Sequence, residues 1–207
     1  MFRSATESGT VLMKSLKSIV LILAKASVVL LILGFLILLF TPRLRDVLEV
    51  SNEVATLSKM KQLHLATQQM AYDGVTTSNS TLGWPGDTGG SFSNWTSLLV
   101  HDGYFSENDL RRNLAIPGMI VSSNDDLSKN SQPILVYAVR ESSPDSAVFL
   151  TSANFTNTPD GGILDPKAKP YGNKSFVVYR KAGDGAILQV WQVGMTNIIG
   201  SYVPLCR

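Results

Sequence analysis

Two histidines, His64 and His101, and a single cysteine, Cys206, are the residues best suited to chemistry in this 207-residue chain. The histidines lie 37 residues apart in unlike contexts. His64 falls inside a helical pattern with no second histidine or acidic cluster nearby. It reads as a satisfied surface or edge residue, with a ligand role as the remote option. His101 adjoins Asp102 in a turn that offers no nucleophile and no third ligand. No serine or cysteine occupies a recognisable nucleophile turn, so the chain is not expected to be an enzyme. Cys206 stands alone, which excludes an internal disulfide.

Carboxylates give a second kind of chemistry. The connection from Thr156 to Lys174 is punctuated by prolines and glycines and carries Asp160 and Asp165. Two carboxylates with loop carbonyls supply part of a calcium site, because that ion takes six to eight oxygens. Their spacing fits no standard calcium loop, so a bare surface loop is the competing reading; no other cofactor is expected. The glycine-rich stretch from Gly74 to Phe92 follows no strand and lacks phosphate-cradling spacing. Its fixed point is Gly83-Trp84-Pro85-Gly86-Asp87. Trp84 there is either a plug that packs the loop onto a core or an exposed binding aromatic.

The elements that would position these residues begin with the run from Ile19 to Phe40. Its 22 residues include one charge, Lys25, and one other polar residue, Ser27. At 1.5 Å per residue, such a helix matches a hydrocarbon layer of roughly 30 Å, and the pattern predicts a transmembrane helix. Lys25 reads either as an interfacial lysine whose stem snorkels or as a polar contact with a neighbouring subunit. Met1–Ser18 carries Arg3, Lys14 and Lys17 against Glu7. That basic excess favours a cytoplasmic N-terminus and an exported remainder. Signal cleavage is not expected, since only five apolar residues precede Ala24-Lys25-Ala26.

Beyond Pro42, read as a kink, the residues Leu44, Val47, Leu48, Val54, Leu57, Met60, Leu63, Ala66 and Met70 recur at spacings of three and four. They predict an amphipathic helix to about Tyr72, closed by Asp73-Gly74. Short helices are expected around Trp95–Val100 and after Ser106, which can cap. Four strand-like runs follow: Ile134–Arg140, Ala147–Phe155, Phe176–Lys181 and Ala186–Val193, the last two forming a hairpin around Gly183-Asp184-Gly185. Ile198–Leu205 offers an edge segment. The predicted fold is α+β, a long N-terminal helix packed against a small C-terminal antiparallel sheet. Its divisions are a basic leader (1–18), a membrane helix (19–40), its amphipathic continuation (41–73) and a soluble domain (74–207).

This layout resembles the type IV pilin-like proteins, and among them the type II secretion pseudopilins. The stretch Asn52–Gly74, NEVATLSKMKQLHLATQQMAYDG, and the GWPGD loop at Gly83–Asp87 carry the resemblance. It implies a pilin-like fold, a single-pass bacterial inner-membrane protein with a periplasmic C-terminal domain, and a structural role in a secretion pseudopilus. Implied partners are the lipid bilayer, other pseudopilin-like subunits and secretion membrane-platform proteins. Assembly would fall to Lys25, Gly34, Pro42, Val47, Val54 and Leu57, and loop contacts to Trp84, Pro85 and Asp87. The family's prepilin peptidase motif is absent: alignment on Pro42 puts Val20 at the cleavage glycine and Lys25 at the following glutamate. A competing reading is a membrane-anchored binding module that presents a small β domain to an envelope protein or glycan. A net charge of +2 without a basic stripe argues against nucleic acid.

Overall fold

The computed structural model describes the backbone of residues 4–115, 134–168 and 174–207, and the side chains of 25–37, 47–115, 134–168 and 174–207. The chain divides into two compact units, Met1–Leu48 and Glu49–Arg207. The first helix, α1 (Ser4–Thr76), contributes residues to both.

In the first unit, the described side chains at 25–37 are all exposed, Lys25 and Gly34 among them. Leu30, Leu31 and Phe35 are more than half exposed. Among the described residues, no helix is long and apolar enough to cross a membrane. The transmembrane helix at 19–40 is therefore corrected. With it go the bilayer as partner and the single-pass inner-membrane location with a cytoplasmic N-terminus and periplasmic domain. The helix assignment runs through position 42, whose side chain lies outside the described residues, as does the leader's.

The second unit is α+β. After α1 come α2 (Phe92–His101) and α3 (Glu107–Leu114). The strands are β1 (Ile134–Val136), β2 (Val148–Ser152), β3 (Phe155–Thr156), β4 (Ile163–Leu164), β5 (Ser175–Arg180) and β6 (Gly185–Gln189). A 3₁₀ turn at Val190–Gln192 and a short helix α4 (Thr196–Ile199) precede the final segment. The main sheet is antiparallel in the order β1-β2-β5-β6, and β3 and β4 form a separate two-stranded ribbon. Central β2 is buried along its whole length, as a strand covered on both faces must be.

One cover is α1. Its buried positions Glu53, Thr56, Met60, Leu63, His64, Thr67 and Met70 recur at helical spacing. That face is rotated from the expected stripe: Val47, Leu48 and Val54 are exposed, and Leu57 and Ala66 are half-buried. Polar residues can occupy the buried face because they are satisfied locally. Thr56 and Thr67 donate to the carbonyls of Asn52 and Leu63, each at 2.8 Å. Glu53 accepts from Ser175 of β5. Leu57 lies close to Gly185, leaving no room for a Cβ there. On the opposite side of the sheet, Phe155 of β3 stacks on Phe176 of β5 at 4.1 Å.

Ser106 caps α3 as expected, accepting from the Asp109 N–H at 3.1 Å. The ribbon β3–β4 runs from the end of the second expected strand, at Phe155, into the connection expected to be irregular, and the last part of the fourth expected strand is instead the 3₁₀ turn at 190–192. Leu63→Ala is expected to cost about 2–5 kcal/mol through a core cavity. Val54→Ala should stay within about 0.5 kcal/mol, as for exposed sites generally. Denaturant unfolding of the two variants separates the observed face from the expected one.

Candidate functional site

Aromatic side chains bind α1 to the sheet and to the loop after it. His64 is 3 % exposed and sits against Trp84, Phe149 and Tyr179 at ring distances of 5.7, 6.1 and 5.2 Å. Its Nε2 lies 2.7 Å from the Lys181 carbonyl, so Nε2 carries the proton and donates. Nδ1 is buried with no hydrogen-bond partner. Burial among these rings lowers the His64 pKa below 6.5, outweighing the Lys181 carbonyl and nearby Asp184, which push it up. Trp84 donates from Nε1 to Glu141 at 2.8 Å, and the Lys181 ammonium sits 5.7 Å over the Trp84 ring. Lys181 also donates to the carbonyls of Glu141 and Ser143.

The same loop is sewn to the sheet by its backbone. The Gly86 N–H donates to the Val139 carbonyl at 2.8 Å, and Asp87 accepts from the Glu141 N–H at 2.8 Å. A Cβ on Gly86 would collide with the Ala138 carbonyl and come within 2.6 Å of Arg140 Cγ. Glycine is required there by close approach.

The C-terminal segment completes a surface beside this loop. Ser201 bridges to Ala147, with its N–H donating to Ser146 and its carbonyl accepting from Val148, and Leu205 bridges to Tyr137. The Ala138 N–H donates to Pro204, Cys206 to Val136, and Arg207 to Gly90. Between these anchors Tyr202 is left 46 % exposed. Two open clefts, each of about 400 Å³, share Tyr202 in their linings. One is lined by Ser146, Thr158, Pro159, Arg180, Thr196, Asn197 and Ser201. The other is lined by Gly86, Gly89, Gly90, Arg140, Ser143, Pro144 and Pro204.

Arg180 is a strap within the fold, since it donates to the carbonyls of Ile198 and Ile199 and pairs with Asp184. Arg140 differs. Its backbone is held in a turn by reciprocal bonds with Ser143, both 3.0 Å, while its side chain is exposed. Among the described residues, its guanidinium has no ion-pair partner. This arrangement offers an aromatic face, hydroxyl and amide groups, and one accessible cation.

The residues singled out from sequence are dispersed. Trp84 is 4 % exposed and Pro85 is buried, so the plug reading of Trp84 holds over the exposed-aromatic one. His101 is exposed and contacts only adjacent Asp102, at 3.1 Å, in what is described of it. Asp160 is exposed in a turn, and Asp165 accepts from the Lys167 N–H at 2.9 Å. No group of three or more His, Cys, Asp or Glu side chains suited to a metal occurs among the described residues. Cys206 is half-buried, and burial pushes its thiol up to about 12, far from a reactive thiolate. Tyr202, Arg140, Thr196 and Asn197 escaped the sequence reading. The available signal was Gly200-Ser201-Tyr202 ahead of Pro204, an aromatic among turn residues in a stretch read only as an edge segment.

No protein-family model, no curated protein and no solved structure matches the chain. Together with the missing membrane-length helix among the described residues, this overturns the pseudopilin-like assignment. The implied pilus subunits and secretion-platform partners are corrected with it.

Above pH 6.5, His64 is neutral in both folded and unfolded chains and its box is undisturbed. As the pH falls below 6.5, the unfolded chain takes the proton first. Stability is then lost progressively until the folded-state pKa is passed. Urea unfolding from pH 7.5 to 5 should show this slope, and His64→Gln should flatten it. Gly86→Ala should destabilise by about 1–3 kcal/mol through the forced loop shift, read as a lower unfolding midpoint.

Proposed function

We propose that this chain works by recognition, with no bond-making chemistry of its own, and that its ligand lies across Tyr202. The pair of clefts sharing that residue carries the reading. Together they form an open surface of mixed polar and apolar character, suited to a chain-like ligand contacted over several units. A small substrate enclosed for reaction would need a deeper and more apolar site. Tyr202 supplies a flat ring at little cost in side-chain freedom, and its hydroxyl gives a donor and an acceptor. Thr196 and Asn197 add further polar groups on one side, and both are exposed.

The titratable groups favour binding over catalysis. His64 is sealed among rings, and the Cys206 thiol is held protonated. His101 lies 3.1 Å from the Asp102 carboxylate, in an exposed turn.

Tyr202→Ala tests the reading. In affinity electrophoresis through gels containing soluble polysaccharides, the chain should be retarded. The variant should lose that retardation while keeping its melting temperature within a few degrees. Retardation that survives removal of the ring would place the ligand elsewhere.

A further inference from the structure

Resting on that reading, we propose that the ligand is an acidic saccharide chain whose carboxylate is bound by Arg140. Three observations carry this. First, the charged side chains lining the two clefts are arginines, and neither cleft is lined by an aspartate or glutamate. Arg180 spends its guanidinium on Asp184 and two carbonyls, so the accessible positive charge belongs to Arg140. A guanidinium fork recognises a planar carboxylate with two parallel hydrogen bonds.

Second, Arg140 is presented on a fixed base. Its turn is closed by the Ser143 hydroxyl and N–H, and its stem passes over Gly86, where no side chain fits. Fixing the base reduces the freedom the side chain loses on binding.

Third, the backbone around the clefts is already paired. Ala138, Val148, Ser201 and Cys206 spend their N–H groups on Pro204, Ser201, Ser146 and Val136. An extended peptide binds by adding a strand to free backbone groups of this kind. With them occupied, recognition falls to side chains: the ring of Tyr202, the hydroxyl of Thr196 and the amide of Asn197. Ring, hydroxyl and amide suit a sugar ring and its hydroxyls, and Arg140 adds the reader of the acid.

The test compares three probes on the full chain: polygalacturonate, neutral galactan and poly-glutamate, each at low and high salt. Polygalacturonate should bind more tightly than galactan, and the difference should shrink in high salt. Arg140→Gln should weaken polygalacturonate binding roughly three- to tenfold, as expected for a lost charge-assisted pair, while leaving galactan binding unchanged. Arg140→Lys should restore part of the loss. Equal binding of galactan and polygalacturonate overturns the acidic ligand, as does an Arg140→Gln effect that is absent or identical for both. Poly-glutamate binding as tight as polygalacturonate overturns the saccharide class. All these outcomes leave recognition at Tyr202 standing. Tyr202→Ala variants that bind both polysaccharides normally would instead remove the parent reading.

Discussion

The second unit depends on one contact, the burial of His64 against Trp84, Phe149 and Tyr179 with its Nε2–H on the Lys181 carbonyl. Four parts of the chain converge there: α1, the glycine-rich loop, β2 and the end of β5. Each apolar ring removed from water contributes to stability in proportion to area, and the hydrogen bond fixes which turn of α1 faces which strand. The unpaired Nδ1 is the cost of that choice, tolerable while the imidazole is neutral. Through Trp84 and Lys181, the same contact reaches Glu141 and Ser143, and so the turn that carries Arg140.

The clefts at Tyr202 are thus built from parts distant in sequence. The glycine-rich loop supplies one wall, the β1–β2 connection another, and residues 196–204 the third. Apart from Thr196 and Asn197 in α4, these segments are not regular structure where they line the surface. Their positions are set by hydrogen bonds to strand edges, which explains how irregular backbone can present fixed side chains.

Much of the second unit was legible because it follows period. The strands near 134, 148, 175 and 185 announced themselves by β-branched and aromatic runs, and Ser106 announced the start of α3. The buried face of α1 was read only in part: Met60, Leu63 and Met70 are buried as expected, but Thr56, Thr67, Glu53 and His64 look like surface residues. Back-bonding to the helix and partners across the sheet let them bury. The ribbon β3–β4 was hidden among prolines and glycines because two-residue strands carry no usable alternation. The membrane reading rested on the length and apolar character of 19–40 and on the basic residues before it, and no helix among the described residues is long and apolar enough to cross a membrane. The clefts were illegible for a different reason: Tyr202 and Arg140 gain meaning only when residues 62 positions apart line one cleft.

The pairing of Arg207 with both Gly90 and Phe92 has a consequence for how the domain forms. Those bonds close a loop spanning more than half the chain, and closing a long loop exacts conformational entropy before any contact repays it. The helices and the hairpin between β5 and β6 involve near neighbours and can organise early. The final segment is held by contacts of this long-range kind, through buried Ile199 and Val203 and the backbone bonds of Ser201, Pro204, Cys206 and Arg207. Tyr202 rides on that segment, so the surface it shapes depends on closing the domain's ends together.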